Sequence, residues 1–295
     1  MRDGFGMREI IMADQLGFCF GVRRAVDEIT NSLADNAGKN GKNGENANEI
    51  WSIGMPIHSP QEVARLKGMG LKVVDSAAEV PDDAKVLIRA HGETRAVMDS
   101  LRARGIELTD ATCPFVRKAQ ERAAELSSQG YRIVLLGNER HPEIRSIMGS
   151  VEAPIDVVAG VADAQKLPKM PRAALISQTT QQEKLLADVA SVLVLKSEEL
   201  HVCNTVCNAT VERQEAVRRL TGKVDGVVVI GGKESANTAK LREIAAECGM
   251  DAFWIESIDD IDWAWLEGKT KIGIAAGAST PEWLIMKVKE ALKNF

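Results

Sequence analysis

The stretch DGVVVIGGKES, residues 225–235, joins a run of apolar, mostly β-branched residues directly to a turn of glycine and serine. Such a run is typical of a strand buried on both faces of a parallel sheet. The same design recurs in KVLIRAH (85–91), YRIVLLGNERH (131–141), RAALISQTT (172–180) and KIGIAAGAST (271–280). Helical patterns occur at 115–128, 210–220, 238–248 and 281–292. The sequence therefore predicts an α/β protein built from repeated strand–turn–helix units.

Composition narrows the class of protein. The chain has 295 residues, 45% of them hydrophobic and 27% charged, as in soluble globular proteins. Its net charge of −5 argues against nucleic-acid binding through a bulk positive field. No apolar run reaches the length of a membrane helix and the N-terminus lacks a secretory signal, so we expect a cytoplasmic protein with no membrane partner.

Three of the five cysteines share an unusual setting. Cys19, Cys113 and Cys207 each stand immediately before a predicted helix, where free backbone amides and the helix dipole stabilise a thiolate. A single cysteine of this kind is equally well explained as a small buried hydrophobe. Together, and too widely spaced for a structural zinc motif, the three favour a shared iron–sulfur cluster. Because such a cluster has four irons, three thiolates would leave one iron open for substrate.

The other two cysteines have simpler explanations. Cys248 falls near the end of a predicted amphipathic helix and is expected to pack there. Cys203 lies four residues before Cys207, in what we predict to be an approach loop, and we expect it to be a bystander.

Polar residues collect where the predicted strands end, which is where α/β folds bind ligands. His58, His91 and His141 each follow a strand-like run, and imidazoles can donate hydrogen bonds to anion oxygens. The turns GGKESANT and GAST, each ahead of a helix, add hydroxyls, an amide and backbone N–H groups. This set predicts a diphosphate site, although any one histidine or turn alone is a weak signal.

Glu143 and the pair Thr179–Thr180 each allow two interpretations. Glu143 can relay protons in a cavity, or it can be an acid stabilised at a helix N-terminus. The threonines in SQTT can supply ligand hydroxyls, or one of them can cap the helix that follows Gln181.

Nine motifs, taken in order along the chain, resemble those of the 4-hydroxy-3-methylbut-2-enyl diphosphate reductase family. They are GFCFGVRRAV, MPIHSPQEV, RAHGE, DATCPFV, HPE, SQTT, CNAT, GGKESANT and GAST-PEWL. The resemblance runs from about Met12 to Ala291. It implies a trefoil of three similar α/β units around a central cavity that holds a [4Fe–4S] cluster. It further implies the last step of the methylerythritol phosphate route to isoprenoids, a reductive dehydroxylation that gives isopentenyl and dimethylallyl diphosphate.

The resemblance also implies roles for individual residues. Three cysteines would be the cluster ligands: Cys19, Cys113 and Cys207. The allylic diphosphate substrate would be bound by His58, His91, His141, Ser235, Asn237 and Ser279. Thr179 and Glu143 would contact the hydroxyl end, with Glu143 on the proton path, and a ferredoxin or flavodoxin would supply electrons.

Two features depart from the family pattern. Ala236 stands where family members often carry a second serine, which removes one hydroxyl from the phosphate turn. The segment 36–48, rich in Gly, Asn and Lys, is longer than the family needs, and we predict a flexible surface loop there.

The predicted division has four parts: an N-terminal segment (1–30) with the first cluster cysteine, and α/β units at 31–113, 114–206 and 207–295, the last with the C-terminal helix.

Two other functions are consistent with parts of the sequence. A zinc-dependent hydrolase could use His201, Cys203 and Cys207 as ligands, but this leaves the remaining junction residues unexplained. A non-catalytic diphosphate-binding or cluster-sensing protein would need neither Glu143 nor the threonine pair.

Overall fold

The computed structural model describes residues 8–37, 49–82 and 84–294, and this part of the chain forms three parallel four-stranded sheets. The strands are β1 (Glu9–Met12), β2 (Ile50–Ile53), β3 (Leu71–Val74), β4 (Lys85–Ile88), β5 (Glu107–Asp110), β6 (Arg132–Leu136), β7 (Asp156–Val158), β8 (Met170–Ser177), β9 (Ser197–Cys203), β10 (Gly226–Ile230), β11 (Ala252–Ile255) and β12 (Lys271–Ala276). The α/β class and the three similar units are thereby confirmed.

The helices follow the strands in alternation. They are α1 (Phe20–Ala37), α2 (Pro60–Gly68), α3 (Arg95–Ala103), α4 (Pro114–Ser128), α5 (Pro142–Met148), α6 (Val161–Lys166), α7 (Glu183–Val194), α8 (Asn208–Arg218), α9 (Ala236–Glu247) and α10 (Glu282–Asn294). The described helices include none that is long and apolar enough to cross a membrane.

The three sheets share one strand order, and in the third sheet β1 takes the edge position that β5 and β9 take in the other two. The orders are β3-β2-β4-β5, β7-β6-β8-β9 and β1-β12-β10-β11. In the last of these, β1 pairs with β12 in the register Glu9↔Lys271, so the two ends of the chain share one sheet. The five apolar runs singled out in the sequence are β4, β6, β8, β10 and β12.

Strand β10 shows why its sequence is apolar throughout. Val228 and Ile230 pack into a core cluster with α10, whereas Val227 and Val229 pack on the opposite face with α8 and α9. Since alternate side chains point to opposite faces of a sheet, both faces must be apolar when helices cover both.

The chain divides into two compact units. The terminal unit comprises the described residues of 1–20, 58–62 and 208–295, and the middle unit comprises those of 21–57 and 63–207. The terminal unit contains the β1-β12-β10-β11 sheet, and the middle unit contains the other two sheets. The predicted boundaries at 30, 113 and 206 stay a prediction.

The predicted loop at 36–48 falls largely on residues 38–48, which lie outside the described residues. At its start the prediction is wrong, because α1 continues through Ala37.

Candidate functional site

The three predicted ligand cysteines stand at the starts of helices. Cys19 directly precedes α1, Cys113 is the N-cap of α4, and Cys207 directly precedes α8. All three are half-buried, and among the described residues they form no disulfide. The predicted loop-to-helix placement is therefore confirmed, with helices starting up to two residues earlier than the pattern indicated.

Cys113 is fixed by its surroundings in the middle unit. Its backbone N–H donates to the carbonyl of Ala90 at 3.0 Å. Arg24 of α1 donates to the carbonyl of Thr112 at 2.9 Å, which holds the preceding loop. A Cβ atom at Gly21 would lie 2.4 Å from Cys113 Sγ, so only glycine lets α1 approach the thiol this closely. Gly21 is a functional position that the sequence pattern alone does not assign, although its place near Cys19 in GFCFG is a signal.

Glu143, Thr179 and Cys207 form a connected group in the middle unit. Thr179 donates twice to the Glu143 carboxylate, from its backbone N–H to Oε1 at 2.7 Å and from its hydroxyl to Oε2 at 2.9 Å. The carbonyl of Thr179 accepts from the backbone N–H of Cys207 at 3.0 Å. The structure thus joins a carboxyl group, a hydroxyl and one predicted ligand cysteine through Thr179.

The Glu143 carboxyl has the electrostatics of an acid–base group. The side chain is buried, and loss of solvation raises its pKa to about 7, against the opposing effect of the two hydrogen bonds from Thr179. A carboxyl group of this kind is partly protonated at neutral pH and can both give and take a proton. This carboxyl also lies in the first turn of α5, so the helix-dipole interpretation holds as well.

His141 is the N-cap of α5, and its orientation fixes which ring nitrogen can donate. Nδ1 accepts the backbone N–H of Glu143 at 3.2 Å. In the neutral ring the proton therefore resides on Nε2, which is left as the donor. The His91 ring packs edge-on against the His141 ring with centroids 5.5 Å apart. The structure brings these two predicted histidines together.

The terminal unit gathers a second group of predicted residues, at the carboxyl end of β10. Ser235 is the N-cap of α9 and accepts from the backbone N–H of Thr238 at 3.2 Å. Asn237 in the first turn of α9 is buried, and both atoms of its amide lack a hydrogen-bond partner among the described residues. Because a buried amide is costly when unsatisfied, Asn237 is a candidate to bind a polar ligand.

Ser279, His58 and Cys19 lie around the turn that follows β12. The Ser279 hydroxyl donates to the His58 carbonyl at 2.9 Å, and the backbone N–H of Cys19 donates to the Ala278 carbonyl at 3.0 Å. A Cβ atom at Gly232 would lie 2.7 Å from the same His58 carbonyl, so the glycine turn and the His58 segment pack closely. The terminal unit therefore assembles Cys19, His58, Ser235, Asn237 and Ser279.

The remaining cysteines have structural surroundings. Cys203 ends strand β9 and packs against an apolar cluster of the middle unit, where burial raises the pKa of its thiol. The predicted approach loop is thus wrong, since the residue belongs to a strand. Cys248 is the C-cap of α9 and packs against the core, as predicted.

A mononuclear zinc site would need ligand atoms about 4 Å apart or closer. Across 8–37, 49–82 and 84–294, no group of three metal-donor atoms within 4.8 Å of one another contains His201, Cys203 and Cys207. Within the described part of the chain, the ligand set that the zinc hydrolase would need is therefore not assembled. Nor does Thr180 cap the following helix, because the N-cap of α7 is Gln182.

Comparison with known proteins gives one consistent result. The family model for LytB protein matches residues 10–293. The 4-hydroxy-3-methylbut-2-enyl diphosphate reductase of Geobacter sulfurreducens is 42% identical over 287 residues, which cover 97% of this chain and 98% of that one. That of Campylobacter curvus is 38% identical over 97% of this chain and 100% of that one.

Two solved structures are similar to the chain. A structure of (E)-4-hydroxy-3-methyl-but-2-enyl diphosphate reductase, the terminal enzyme of the non-mevalonate pathway, has a TM-score of 0.68 and 36% identity, covering 98% of this chain and 100% of that one. The E-1-hydroxy-2-methyl-but-2-enyl-4-diphosphate reductase from Plasmodium falciparum has a TM-score of 0.87 at 24% identity, covering 97% and 88%, and shows a shared fold.

Proposed function

The chain belongs to the LytB protein family, and from this premise we propose that it is a 4-hydroxy-3-methylbut-2-enyl diphosphate reductase. It would replace the allylic hydroxyl of its substrate by hydrogen, taking up two electrons and two protons and releasing water. One proton would leave with the hydroxide as water, and the other would add at either end of the allylic intermediate to give isopentenyl or dimethylallyl diphosphate. This is the last step of the methylerythritol phosphate pathway.

One observation carries the proposal. Glu143 is a buried carboxyl group whose pKa is raised to about 7, and it accepts hydrogen bonds from Thr179. The Thr179 carbonyl in turn accepts a hydrogen bond from the backbone N–H of Cys207. Removal of hydroxide from an allylic carbon requires an acid close to the leaving oxygen. Burial raises the pKa of Glu143 into the range in which it can supply that proton at neutral pH.

We propose Cys19, Cys113 and Cys207 as the three ligands of a [4Fe–4S] cluster. The donor set fits, because the three cysteines form no disulfide within the described residues and are half-buried at helix starts, where amides favour the thiolate. When bound, the cluster supplies electrons one at a time and a Lewis-acidic open iron for the leaving oxygen. A ferredoxin or flavodoxin is the proposed electron donor, and the cytoplasm, where thiols stay reduced, is the proposed compartment.

The proposed donors to the substrate diphosphate are described for each unit by itself. In the terminal unit, the unsatisfied amide of Asn237 and the hydroxyls of Ser235 and Ser279 are proposed donors, together with His58. In the middle unit, His141 would donate from Nε2, since its Nδ1 is already an acceptor, and His91 would donate beside it. Ala236 contributes no hydroxyl, so the turn after β10 binds through one serine and one asparagine.

The proton assignment follows from the contacts of Glu143. When the carboxyl is ionised its charge is shared by Oε1 and Oε2, and Thr179 donates a hydrogen bond to each of these oxygens. In the protonated form the same carboxyl can release its proton to the leaving hydroxide, which departs as water. Thr179 would then stabilise the carboxylate that remains.

The test is anaerobic purification followed by iron, sulfide and zinc analysis and by turnover with a chemically reduced electron carrier. The proposal expects a brown protein with close to four irons and sulfides per chain, and formation of both five-carbon diphosphates. A colourless protein that contains zinc, or an iron-loaded protein that leaves the hydroxylated substrate unchanged, would show the proposal to be wrong.

A further inference from the structure

Lys233 lies in the turn between β10 and α9, two residues before Ser235 and four before Asn237. Its position in a glycine-containing turn ahead of a helix is one in which lysines often contact phosphate. The contacts of Lys233 indicate a different role.

The Lys233 ammonium points to the neighbouring strand β11. Nζ donates to the backbone carbonyl of Trp254 at 2.6 Å and lies 4.7 Å from the centroid of the Trp254 ring. The backbone N–H of Lys233 donates to the carboxylate of Glu256, just beyond β11. Both ends of the residue are therefore attached to β11 and the residue that follows it.

Trp254 also fixes the start of the turn between β10 and α9. Its indole Nε1 donates to the carbonyl of Gly231 at 2.7 Å, and the backbone N–H of Gly231 donates to the carbonyl of Ile255 at 2.9 Å. Gly231 has φ 153, and a Cβ atom there would lie 2.4 Å from the hydroxyl oxygen of Thr238 in the first turn of α9. The start of the turn is thus fixed both to β11 and to the helix that carries Asn237.

We infer that Trp254, Lys233 and Glu256 form a clamp that positions Ser235 and Asn237 for diphosphate, and that Lys233 does not itself contact the phosphates. The inference rests on the proposed function, because it deepens the assignment of the diphosphate site. The three clamp residues are positioning residues, and they act through the turn between β10 and α9.

The two roles for Lys233 predict different behaviour of Trp254. If Lys233 acts through the clamp, Trp254→Phe should reproduce part of the effect of Lys233→Ala, because it removes the indole N–H that holds Gly231 while leaving an aromatic ring in place. If Lys233 contacts phosphate directly, Trp254→Phe should leave diphosphate affinity unchanged. If the clamp is correct, the variant that combines Lys233→Ala with Trp254→Phe should lose less binding free energy than the sum of the two single losses, because both substitutions act on the same turn.

The experiment is calorimetric titration of inorganic diphosphate into the cluster-loaded protein under anaerobic conditions. We expect Lys233→Ala to weaken binding about 10-fold and Trp254→Phe about 3-fold or more, as for loss of a hydrogen bond that fixes a site. Lys233→Arg should retain binding within about 3-fold, because a guanidinium can also stack on the indole and donate to the carbonyl. In turnover assays KM should rise while kcat stays close to that of the parent.

The matched control is Lys287→Ala, which removes a lysine whose Nζ lies 5.1 Å from the ring centroid of Trp283 on α10. It should bind diphosphate like the parent, and all variants should unfold within a few degrees of it. Full affinity in Trp254→Phe together with a loss in Lys233→Ala would overturn the clamp, as would full affinity in both. A parent chain that binds no diphosphate would overturn the proposed diphosphate site and the clamp with it.

Discussion

Replacement of Glu143 by glutamine tests the proton role directly. Glutamine keeps the shape of the side chain, its amide oxygen can still accept from the Thr179 N–H, and its NH2 group can donate to the Thr179 hydroxyl oxygen, but it has no acidic proton to release. The magnitude follows from the pKa of about 7. At pH 7 a carboxyl with that pKa is about half protonated, whereas one with the ordinary value of 4.5 is protonated in about 1 molecule in 300. Burial therefore raises the fraction of usable acid by about 150-fold.

We expect kcat of Glu143→Gln to fall about 10²- to 10⁴-fold, the usual contribution of a positioned acid, which corresponds to about 3 to 5 kcal/mol of barrier. Iron content and affinity for diphosphate should stay close to those of the parent, because Glu143 is neither a proposed cluster ligand nor a proposed phosphate donor. The assay is steady-state consumption of a reduced carrier at saturating substrate, with iron measured on the same samples.

The pH dependence of turnover tests whether Glu143 acts as an acid. A group that acts as an acid loses activity as the pH rises through its pKa, so the parent should show a basic limb near pH 7 that is missing in Glu143→Gln. Removing the Thr179 hydroxyl, which lowers the pKa of Glu143, should move this limb to higher pH in Thr179→Val. Glu139→Gln, which changes an exposed carboxylate in the loop before α5, is the control and should behave like the parent. Turnover of Glu143→Gln within about 3-fold of the parent would refute the proton role.

Three further predictions follow from the same contacts. Cys207→Ser should lose iron, whereas Cys203→Ser, whose thiol packs in an apolar cluster at the end of β9, should retain it; iron analysis after anaerobic reconstitution decides. Gly21→Ala should reduce iron retention, because the new methyl group would lie 2.4 Å from Cys113 Sγ; iron analysis and the visible spectrum report it. As the pH rises from 4.5 through 7, the free energy of unfolding of the parent should fall by up to about 3 kcal/mol relative to that of Glu143→Gln, which urea unfolding would measure. The reason is that, in this pH range, the native Glu143 carboxyl binds more protons than the unfolded one.

These predictions have internal controls. Gly68→Ala introduces a methyl group with nothing within 4 Å and should leave iron unchanged, so a loss in Gly21→Ala alone identifies crowding at Cys113. Full iron in Cys207→Ser would contradict its assignment as a ligand. A constant stability difference between parent and Glu143→Gln across the pH range would contradict a raised native pKa.

Strand position explains which parts of the fold were predictable. The five strands visible in the sequence, β4, β6, β8, β10 and β12, all lie in the interior of their sheets and are apolar on both faces. Strand β9, SEELHVC, lies at the edge of its sheet and is largely exposed, so its polar sequence resembles a loop. This is why Cys203 was placed in a loop although it ends a strand.

The site was predictable where the signal is local. Helix starts after Cys113 and Cys207 follow from proline, asparagine and the helical pattern beside them. The raised pKa of Glu143 was not predictable, because it depends on burial and on hydrogen bonds from Thr179, 36 residues away. The unsatisfied amide of Asn237 likewise depends on the packing around α9 and has no sequence signature.

The pairing of β1 with β12 affects the order in which the chain can fold during synthesis. Glu9 pairs with Lys271, so β1 must wait for about 260 residues, roughly 13 to 50 s at 5–20 residues per second, before its partner strand exists. The sheets of residues 50–110 and 132–203 are complete in the nascent chain well before then. Cys19, which follows β1, thus reaches its final position only after the ribosome has made β12, so a cluster held by the three proposed ligand cysteines would be completed only then.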